Sequence, residues 1–393
     1  MTRLLVGAAG ADDGGTNAGQ VHVMRMNTDG TISSSVQIHN GDGGLPAGTT
    51  PDNSQFGAAV TGVVGDIDGD GFNDIAVGAP TETAGGAGGV VYVLCMQGND
   101  TVKTVTRISK IPGEGLDGLP LALSLTGWGL GALPPRHGFN PVDLVIASHV
   151  QSAVILAPLG NNGSVVGPVE LIANGRGGMP VGSIQSDSQF GLGIAAAGDM
   201  DGDGVPDLVV SARQDNSGGP ETGVVYILFM QPGTEMDPVR SFRKIQRSTP
   251  GLNPLLSSSD SMACATSLYD VDGDGRIDLL LGLHKDDEEN TNSGSLVVAF
   301  MGGSIPASTP SPTPTPSVTP SVSPTPSVTP SASPTSSPTA APPGEIIRIT
   351  KISNGLEGIP LGSFGSHTQF GEYVNSMGDL DGDGIEELAV GYR

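Results

Sequence analysis

The segment GDIDGDGFNDIAVGAP, at residues 65–80, decides the fold of this chain because near copies of it recur along the sequence. Complete copies begin at residues 198 (GDMDGDGVPDLVVSAR), 269 (YDVDGDGRIDLLLGLH) and 378 (GDLDGDGIEELAVGYR). A degenerate copy, HGFNPVDLVIAS, begins at residue 137 and keeps Asp143 in the place of Asp74. Self-similarity of this kind indicates a repeat architecture, in which each unit packs against its neighbours.

Two other phrases recur in constant order around these loops. One ends in Phe-Gly or Trp-Gly and occupies residues 36–57, 108–129, 170–191 and 350–371, with a weaker copy at 245–263. The other is apolar and occupies residues 18–26, 88–96, 222–230 and 293–301. Each period of about 65–70 residues thus holds four short Val- and Ile-rich runs, the pattern of strands, which we name A to D. Four-stranded units in series predict an all-β propeller of about five blades.

With these phrases in this order, the sequence resembles the FG-GAP repeat of integrin α-subunits. Phe56-Gly57 precedes the first aspartate loop, and Gly78-Ala79-Pro80 follows it. The resemblance extends over nearly all of the chain except a proline-rich segment. It implies a calcium-binding β-propeller of the kind found at cell surfaces and in secreted proteins, and hence an extracellular protein.

Each aspartate loop carries oxygen ligands at alternate positions, with acids at positions 1, 3, 5 and 9 and a backbone carbonyl at position 7. Ca²⁺ prefers six to eight oxygen ligands at about 2.3–2.6 Å, which such a loop supplies. We therefore predict four calcium sites. The predicted ligands are Asp66, Asp68, Asp70, the carbonyl of Phe72 and Asp74; Asp199, Asp201, Asp203, the carbonyl of Val205 and Asp207; Asp270, Asp272, Asp274, the carbonyl of Arg276 and Asp278; and Asp379, Asp381, Asp383, the carbonyl of Ile385 and Glu387.

These loops are not EF-hand loops, which need a bidentate Glu at position 12 and flanking helices. Position 12 is instead an apolar strand residue in every copy: Val77, Val210, Leu281 and Val390. In the fourth loop, the longer side chain of Glu387 is expected to coordinate the ion differently. The degenerate copy lacks the first three acids, so we predict no ion there and a surface position for its histidine. The replacing residues are Pro135, His137 and Phe139.

The charge balance restricts the partners of this chain. Its formal net charge is −24, from 41 acidic and 17 basic residues. Nucleic acids and anionic membrane surfaces need clustered Lys and Arg, so neither is expected as a partner. No apolar run is long enough to span a bilayer. Because the clustered acids are assigned to calcium, the charge is expected to be partly compensated by bound ions.

Nothing in the sequence indicates an active site. The six histidines occupy different repeat phrases, and no nucleophile elbow, zinc-protease motif or P-loop is present. Cys95 and Cys264 lie in apolar runs and are predicted to be buried thiols. Trp128 takes the place of Phe in a Phe-Gly pair, which favours core packing over a sugar platform. We therefore predict a non-catalytic protein, with a calcium-dependent polysaccharide-acting enzyme as a remote alternative.

The sequence divides into three regions: propeller blades at 1–303, a Ser/Thr/Pro-rich linker at 304–343 and a terminal propeller segment at 344–393. Repeated Ser-Pro and Thr-Pro pairs favour an extended polyproline II conformation and suit O-glycosylation. Asn99 and Asn162 begin two N-glycosylation sequons. The first ten residues, MTRLLVGAAG, match an internal strand B rather than a signal peptide.

The linker separates a strand C (GSLVVAFM) from its own strand D (IIRITKIS), and the first blade lacks strand A. Two closures are consistent with this order. In cis, residues 345–393 complete the ring of their own chain. In trans, they supply the missing strands of a neighbouring copy, which is head-to-tail strand donation. The trans closure predicts a structural glycoprotein building block that forms a ring or fibril. The cis closure predicts a cell-surface adhesion module that binds a protein or carbohydrate ligand.

Overall fold

The computed structural model describes residues 3–83, 86, 88–120, 124–136, 138, 141–233, 235–253, 256, 260–267, 270–287, 292–302, 343–353, 369–371, 373–378 and 387–391. Nearly all of the predicted Ser/Thr/Pro-rich linker lies outside these residues, and so does most of the fourth aspartate loop. No helix among the described residues is long and apolar enough to cross a membrane.

The described secondary structure is β throughout, apart from a 3₁₀ turn at His149–Gln151. The strands follow one another as antiparallel neighbours within each sheet. Blade 1 contains β1 (Arg3–Ala8), β2 (Gln20–Met26) and β3 (Ile32–Ile38). Blade 2 contains β4 (Ala59–Thr61), β5 (Ile75–Ala79), β6 (Val90–Met96) and β7 (Val102–Ile108). Blade 3 contains β8 (Leu130–Leu133), β9 (Val142–Ser148), β10 (Ala153–Leu159) and β11 (Glu170–Ile172).

The C-terminal half repeats this arrangement. Blade 4 contains β12 (Phe190–Ala196), β13 (Leu208–Ala212), β14 (Val224–Met230) and β15 (Val239–Ile245). Blade 5 contains β16 (Met262–Ser267), β17 (Leu279–Leu283), β18 (Ser295–Gly302) and β19 (Glu345–Ile352). The last two strands, β20 (Tyr373–Gly378) and β21 (Glu387–Gly391), form a two-stranded sheet of their own.

The blades form a β-propeller, which confirms the predicted fold. Strand A of each blade contacts strand A of the next: β4 contacts β8, β8 contacts β12, and β12 contacts β16. The pair β20–β21 continues this series, because β20 packs against β16 and β17. Among the described strands, β1 pairs only with β2, so blade 1 lacks an inner strand as predicted. Strand β19, which follows the linker, pairs with β18 of the same chain and completes blade 5.

Strands B and C are buried on both faces because each blade is stacked between two others. Every residue of β5 and β6 is buried, whereas in strand D of the same blade, β7, only the two end residues are buried. The hydrophobic clusters lie between neighbouring blades rather than within one. In two of them the Phe of the Phe-Gly pair meets a Tyr of strand C edge to face. The ring centroids are 5.6 Å apart for Phe56 and Tyr92 and 5.1 Å apart for Phe190 and Tyr226.

The glycines of the repeated motif are required where adjacent blades approach each other closely. A Cβ atom on Gly78 would lie 1.9 Å from the carbonyl oxygen of Gly127 in the next blade. The same contact recurs between Gly282 and Gly371. Gly57 has a φ of +94° and donates its N–H to the carbonyl of Gly78 at 2.9 Å. The Phe-Gly and Gly-Ala-Pro phrases therefore meet within blade 2, and the strand B glycines of blades 2 and 5 meet the following blade.

Candidate metal centres

Three of the four predicted loops lie in the described residues, and each connects strand A to strand B of its blade. In each loop, one carboxylate oxygen from each of three aspartates lies within 4.8 Å of the other two. Gly69 and Gly71 have φ values of +76° and +90°, a left-handed backbone that folds the first loop back on itself. The converging groups are Asp66, Asp68 and Asp70; Asp199, Asp201 and Asp203; and Asp270, Asp272 and Asp278.

The first aspartate of each loop organises the turn through its backbone hydrogen bonds. Asp66 Oδ1 accepts the N–H groups of Gly69 at 2.8 Å and Asp70 at 3.1 Å, and Oδ2 accepts the N–H of Gly71 at 2.8 Å. Asp199 and Asp270 accept the corresponding bonds in their own loops. The carboxylate at position 1 thus winds the chain around itself, so that the acids at positions 3 and 5 point to the same side.

The ninth aspartate has a structural role that the sequence analysis did not foresee. Asp74 is fully buried, and its Oδ2 accepts the N–H of Ile67 at 2.8 Å. Its Oδ1 accepts the N–H of Met96, at the end of strand C, also at 2.8 Å. The same two bonds recur at Asp207 and Asp278. We call this arrangement the aspartate clamp, because one carboxylate joins the loop to the far end of strand C.

Burial of the aspartate clamp perturbs its ionisation. Because burial removes these carboxylates from water, the pKa values of Asp74 and Asp278 lie above that of an ordinary aspartate. Burial raises the pKa of Asp207 to about 7, and the neighbouring carboxylates of Asp201 and Asp203 contribute to the rise. Burial is thus the main cause of the raised pKa at each clamp, and the neighbouring loop carboxylates add to the rise.

A basic side chain from strand D covers each of the three loops. Lys103 Nζ lies 2.9 Å from Asp68 Oδ2 and 2.7 Å from Asp70 Oδ2, and these bonds raise the pKa of Lys103. These basic residues were not predicted from the sequence, although each of them lies in the first half of a strand D that could have been recognised. The other pairs are Arg240 with Asp201 and Asp203, and Arg348 with Asp272.

The degenerate loop of blade 3 compensates its retained aspartate with an arginine. Asp143 is fully buried and accepts the backbone N–H of Arg136 at 3.1 Å. The guanidinium of Arg136 has no exposed side-chain surface, and its Nε lies 3.2 Å from the same carboxylate. It also pairs with Glu170 and donates to the carbonyl of Gln231 at 3.1 Å. Pro135 is exposed in this loop, whereas His137 and Phe139 lie outside the described residues.

The donors of the three loops fit a hard divalent cation. Each converging group consists of carboxylate oxygens alone, the ligand type that Ca²⁺ prefers over nitrogen or sulfur. In the second loop, Asp201 Oδ1 is buried and has no hydrogen-bond partner, which leaves one oxygen of the group unsatisfied. An orphaned carboxylate oxygen beside two other carboxylates is a costly arrangement unless a cation binds there.

The remaining predicted ligands are placed less uniformly. Phe72, Val205 and Arg276 each donate their N–H to the aspartate at position 5 of their loop. In the third loop the converging group contains Asp278 and not Asp274. The ligands of the fourth loop up to Ile385 lie outside the described residues, and only the backbone of Glu387 is placed, at the start of β21.

Two further sequence predictions concern residues away from the loops. Cys95 is buried as a free thiol, as predicted, whereas the side chain of Cys264 lies outside the described residues. Trp128 is partly buried and packs edge to face on His149, with ring centroids 6.0 Å apart. Packing against a neighbouring side chain agrees with the predicted role of Trp128.

The sequence analysis also missed a buried network at the opposite ends of the blades. In blade 2, Glu82 accepts the hydroxyl proton of Tyr92 at 2.7 Å and pairs with Arg107 at 2.7 Å. In blade 4, Asp215 and Tyr226 form the same bond, with Lys244 3.6 Å from the carboxylate. In blade 5 the corresponding acid pairs with a strand D lysine, Asp286 with Lys351 at 2.6 Å.

Blade 3 separates the structural role of the aspartate clamp from any metal binding. We expect Asp143→Asn to destabilise the protein by about 2–3 kcal/mol, because it leaves the buried guanidinium of Arg136 partly uncompensated. The midpoint of urea unfolding measures this loss, which should be equal in excess calcium and in excess chelator. Asp117→Asn, at an exposed position of the same repeat, serves as the control. An unchanged midpoint for Asp143→Asn would contradict the structural role.

Comparisons with known proteins agree with the repeat structure. The FG-GAP repeat family model matches residues 58–94 and 190–228, which span strands A to C of blades 2 and 4. The search of curated proteins returned no match. A crystal structure of BBS1N in complex with ARL6DN, soaked with lead, has 12% sequence identity and covers 76% of this chain and 79% of that chain. Its TM-score of 0.34 is too low to support any argument. The chain therefore carries FG-GAP repeats at two positions of a five-bladed β-propeller, which is consistent with an integrin α-like FG-GAP propeller.

Proposed function

We propose that this protein is a non-catalytic, extracellular propeller whose blades are stabilised by calcium, and that it serves as a structural glycoprotein building block. The observation that supports calcium binding is the convergence of three carboxylates in each of three equivalent loops. The protein itself holds these oxygens together in the loop between strands A and B of blades 2, 4 and 5. A bound divalent ion would supply the positive charge that this loop lacks.

The proposed ligands are the acids at positions 1, 3, 5 and 9 and the position 7 carbonyl of each complete loop. The acids at positions 1 and 9 also hold the backbone through hydrogen bonds, so ion binding and blade folding are coupled. We extend the proposal to the fourth loop on its sequence alone. Calcium is abundant outside cells, where sites of this open kind are commonly loaded.

The proposed assembly rests on the two ends of the propeller. Among the described strands, β1 has one open edge, and β20 and β21 pair only with each other. An unpaired edge is a template for another strand. We propose that the terminal pair of one copy packs beside β1 of the next, which gives a head-to-tail series. Glycans are proposed on the linker and at Asn99 and Asn162, both of which are exposed in turns between strands C and D.

Calcium binding is tested by titration calorimetry combined with thermal unfolding. We expect about four ions per chain and a melting temperature that falls markedly in excess EGTA, because ligand-binding free energy adds to folding stability. Asp199→Asn combined with Asp201→Asn should remove one ion. Asp237→Asn, an exposed change in the same blade, should remove none. An unchanged melt in EGTA, or the same number of ions in the double variant, would contradict the proposal.

Assembly is tested by measuring the mass of the protein in solution. We expect species larger than the monomer that dissociate when the open edge is blocked by Leu5→Pro, which removes a backbone N–H from β1. Electron microscopy of the same samples should show rings or filaments. A monomer with all of its calcium bound, at every concentration tested, would rule out head-to-tail donation and favour closure within one chain.

A second candidate function, a ligand-binding module, is favoured by one cleft at the opposite end of blades 4 and 5. Its volume is about 510 Å³, within the range of small-molecule sites. Its lining carries two basic residues, Arg213 and Lys285, and two acidic ones, Asp187 and Glu221, with Lys285 Nζ 3.7 Å from Glu221. His284 Nδ1 donates to the Ser261 carbonyl at 3.0 Å, and burial lowers the pKa of His284 to about 4.

The lining of this cleft suits a saccharide that carries a carboxylate. Sugar hydroxyl groups both donate and accept, and side-chain amides offer both functions. The amides in the lining are those of Gln185, Gln214, Asn216 and Gln369. The guanidinium of Arg213 would face the carboxylate, whereas Lys285 already pairs with Glu221 of the same lining. The proposed ligand is therefore a uronic acid or a chain that contains one.

The cleft is tested by NMR titration with glucuronate, with glucose as the neutral comparison. We expect glucuronate to bind with a millimolar dissociation constant and glucose to bind little. Arg213→Gln should lower the affinity for glucuronate at least tenfold, because it removes the guanidinium group. Arg176→Gln, at an exposed position outside the cleft, should bind as the wild type does. Equal binding by Arg213→Gln, or none by the wild type, would contradict this second function.

A further inference from the structure

We propose that the strand D cations are tethered competitors for calcium, which occupy the loop carboxylates when no ion is bound and thereby set the calcium affinity of each loop. This inference rests on the proposed calcium sites. It assigns a role to Lys103, Arg240 and Arg348 that goes beyond stabilising the blade.

The geometry places each cation on carboxylates that are proposed to hold the ion. Lys103 Nζ contacts Asp68 and Asp70, at positions 3 and 5 of the first loop, at 2.9 and 2.7 Å. In the second loop, Arg240 spans the same two positions, with 2.7 Å between Nη1 and Asp203 Oδ2. Carboxylates at two of the proposed ligand positions are therefore shared between a tethered cation and an incoming one.

The contacts are placed so that they can be exchanged. The Lys103 and Arg240 side chains are 42% and 43% exposed, so each charged end can move into solvent. Breaking an exposed ion pair costs little, because water and salt screen the two charges. An arriving divalent ion has to displace these bonds and is repelled by the cation that remains nearby. Because the competitor is tethered, its effective concentration stays high whatever the composition of the solvent.

The three loops are not covered equally, which predicts a graded affinity. Arg348 contacts only Asp272, at 3.3 Å, and its guanidinium lies over the Phe300 ring, 3.4 Å from the centroid. Stacking on an aromatic ring holds this cation away from the carboxylates. The third loop should therefore bind calcium with the least competition, and the first and second loops with the most.

The buried guanidinium of blade 3 supports this interpretation. Where the acids at positions 1, 3 and 5 are absent, the cation is Arg136, which is buried beside the retained Asp143 and cannot leave easily. Where the acids are present, the cation lies on an exposed side chain. The contrast concerns the cations that contact the loop carboxylates: Arg136 is buried in the degenerate blade, whereas Lys103, Arg240 and Arg348 are exposed. The third loop also holds a buried arginine of its own, Arg276, which donates to the Met200 carbonyl.

The test is calcium titration calorimetry of Lys103→Met in the full-length chain. We expect one site to bind about fivefold more tightly than in the wild type, with the same total number of ions, and the difference should shrink as KCl is raised. Arg348→Met should change the affinity by less than about twofold. Arg176→Met, which removes an exposed basic side chain outside the loops and the cleft, should leave calcium binding unchanged.

If Lys103→Met folds poorly, thermal unfolding of Lys103→Gln tests the same competition. In Lys103→Gln, the rise in melting temperature between EGTA and calcium should be larger than in the wild type. Unchanged or weaker calcium binding by both Lys103 variants would contradict the proposed competition. It would mean instead that the lysine holds the carboxylates in place for the ion. Absence of calcium binding in the wild type would instead overturn the proposed function itself.

Discussion

The buried aspartate at the ninth loop position is the interaction on which the rest of this propeller depends. Its two oxygens accept one N–H from the A–B loop and one from the end of strand C, in blades 2, 4 and 5. Strand B starts directly after this residue, so a single side chain sets the start of strand B and the end of strand C. In blade 3 the acids at positions 1, 3 and 5 are lost, but the aspartate is kept as Asp143. The buried carboxylate is therefore present even where no ion is expected, and there it accepts the backbone N–H of Arg136 and lies beside its guanidinium.

A buried carboxylate requires a nearby positive charge, and this requirement explains the distribution of basic residues around the loops. The chain has only 17 Lys and Arg against 41 acids, yet each described A–B corner of blades 2 to 5 has a cation beside it. One monovalent side chain does not balance the charge of three carboxylates, and the carboxylates of Asp201 and Asp203 add to the rise that burial causes in the pKa of Asp207. A divalent ion at the proposed sites would remove the remaining imbalance. Compensation of the negative charge in the loops would then link the stability of the fold to ion binding.

The contact between blades is governed by a different constraint, the close approach of their backbones. Gly78 and Gly282 each face a backbone carbonyl of the next blade at a distance that excludes a side chain. This approach closes the gap between strand layers and allows the apolar side chains of strands B and C to form clusters across each boundary. Blade 1 and the terminal β20–β21 pair have only one such neighbour among the described strands. The ends of the series are therefore where assembly is proposed.

The sequence by itself determined the repeat, the four strands of each unit, the burial of strands B and C, the absent strand A of blade 1 and the aspartates that converge in each loop. These features are local, because strand periodicity and loop spacing depend on residues close together in the chain. The bond from Asp74 to Met96, the covering of the loops by Lys103 and Arg240, and the compensation of Asp143 by Arg136 needed the folded chain. They join residues that are distant in sequence or separated by a whole strand, and no spacing rule specifies which side chain will reach across. The same holds for the cleft between blades 4 and 5, since its lining comes from loops that only the packing of neighbouring blades brings together.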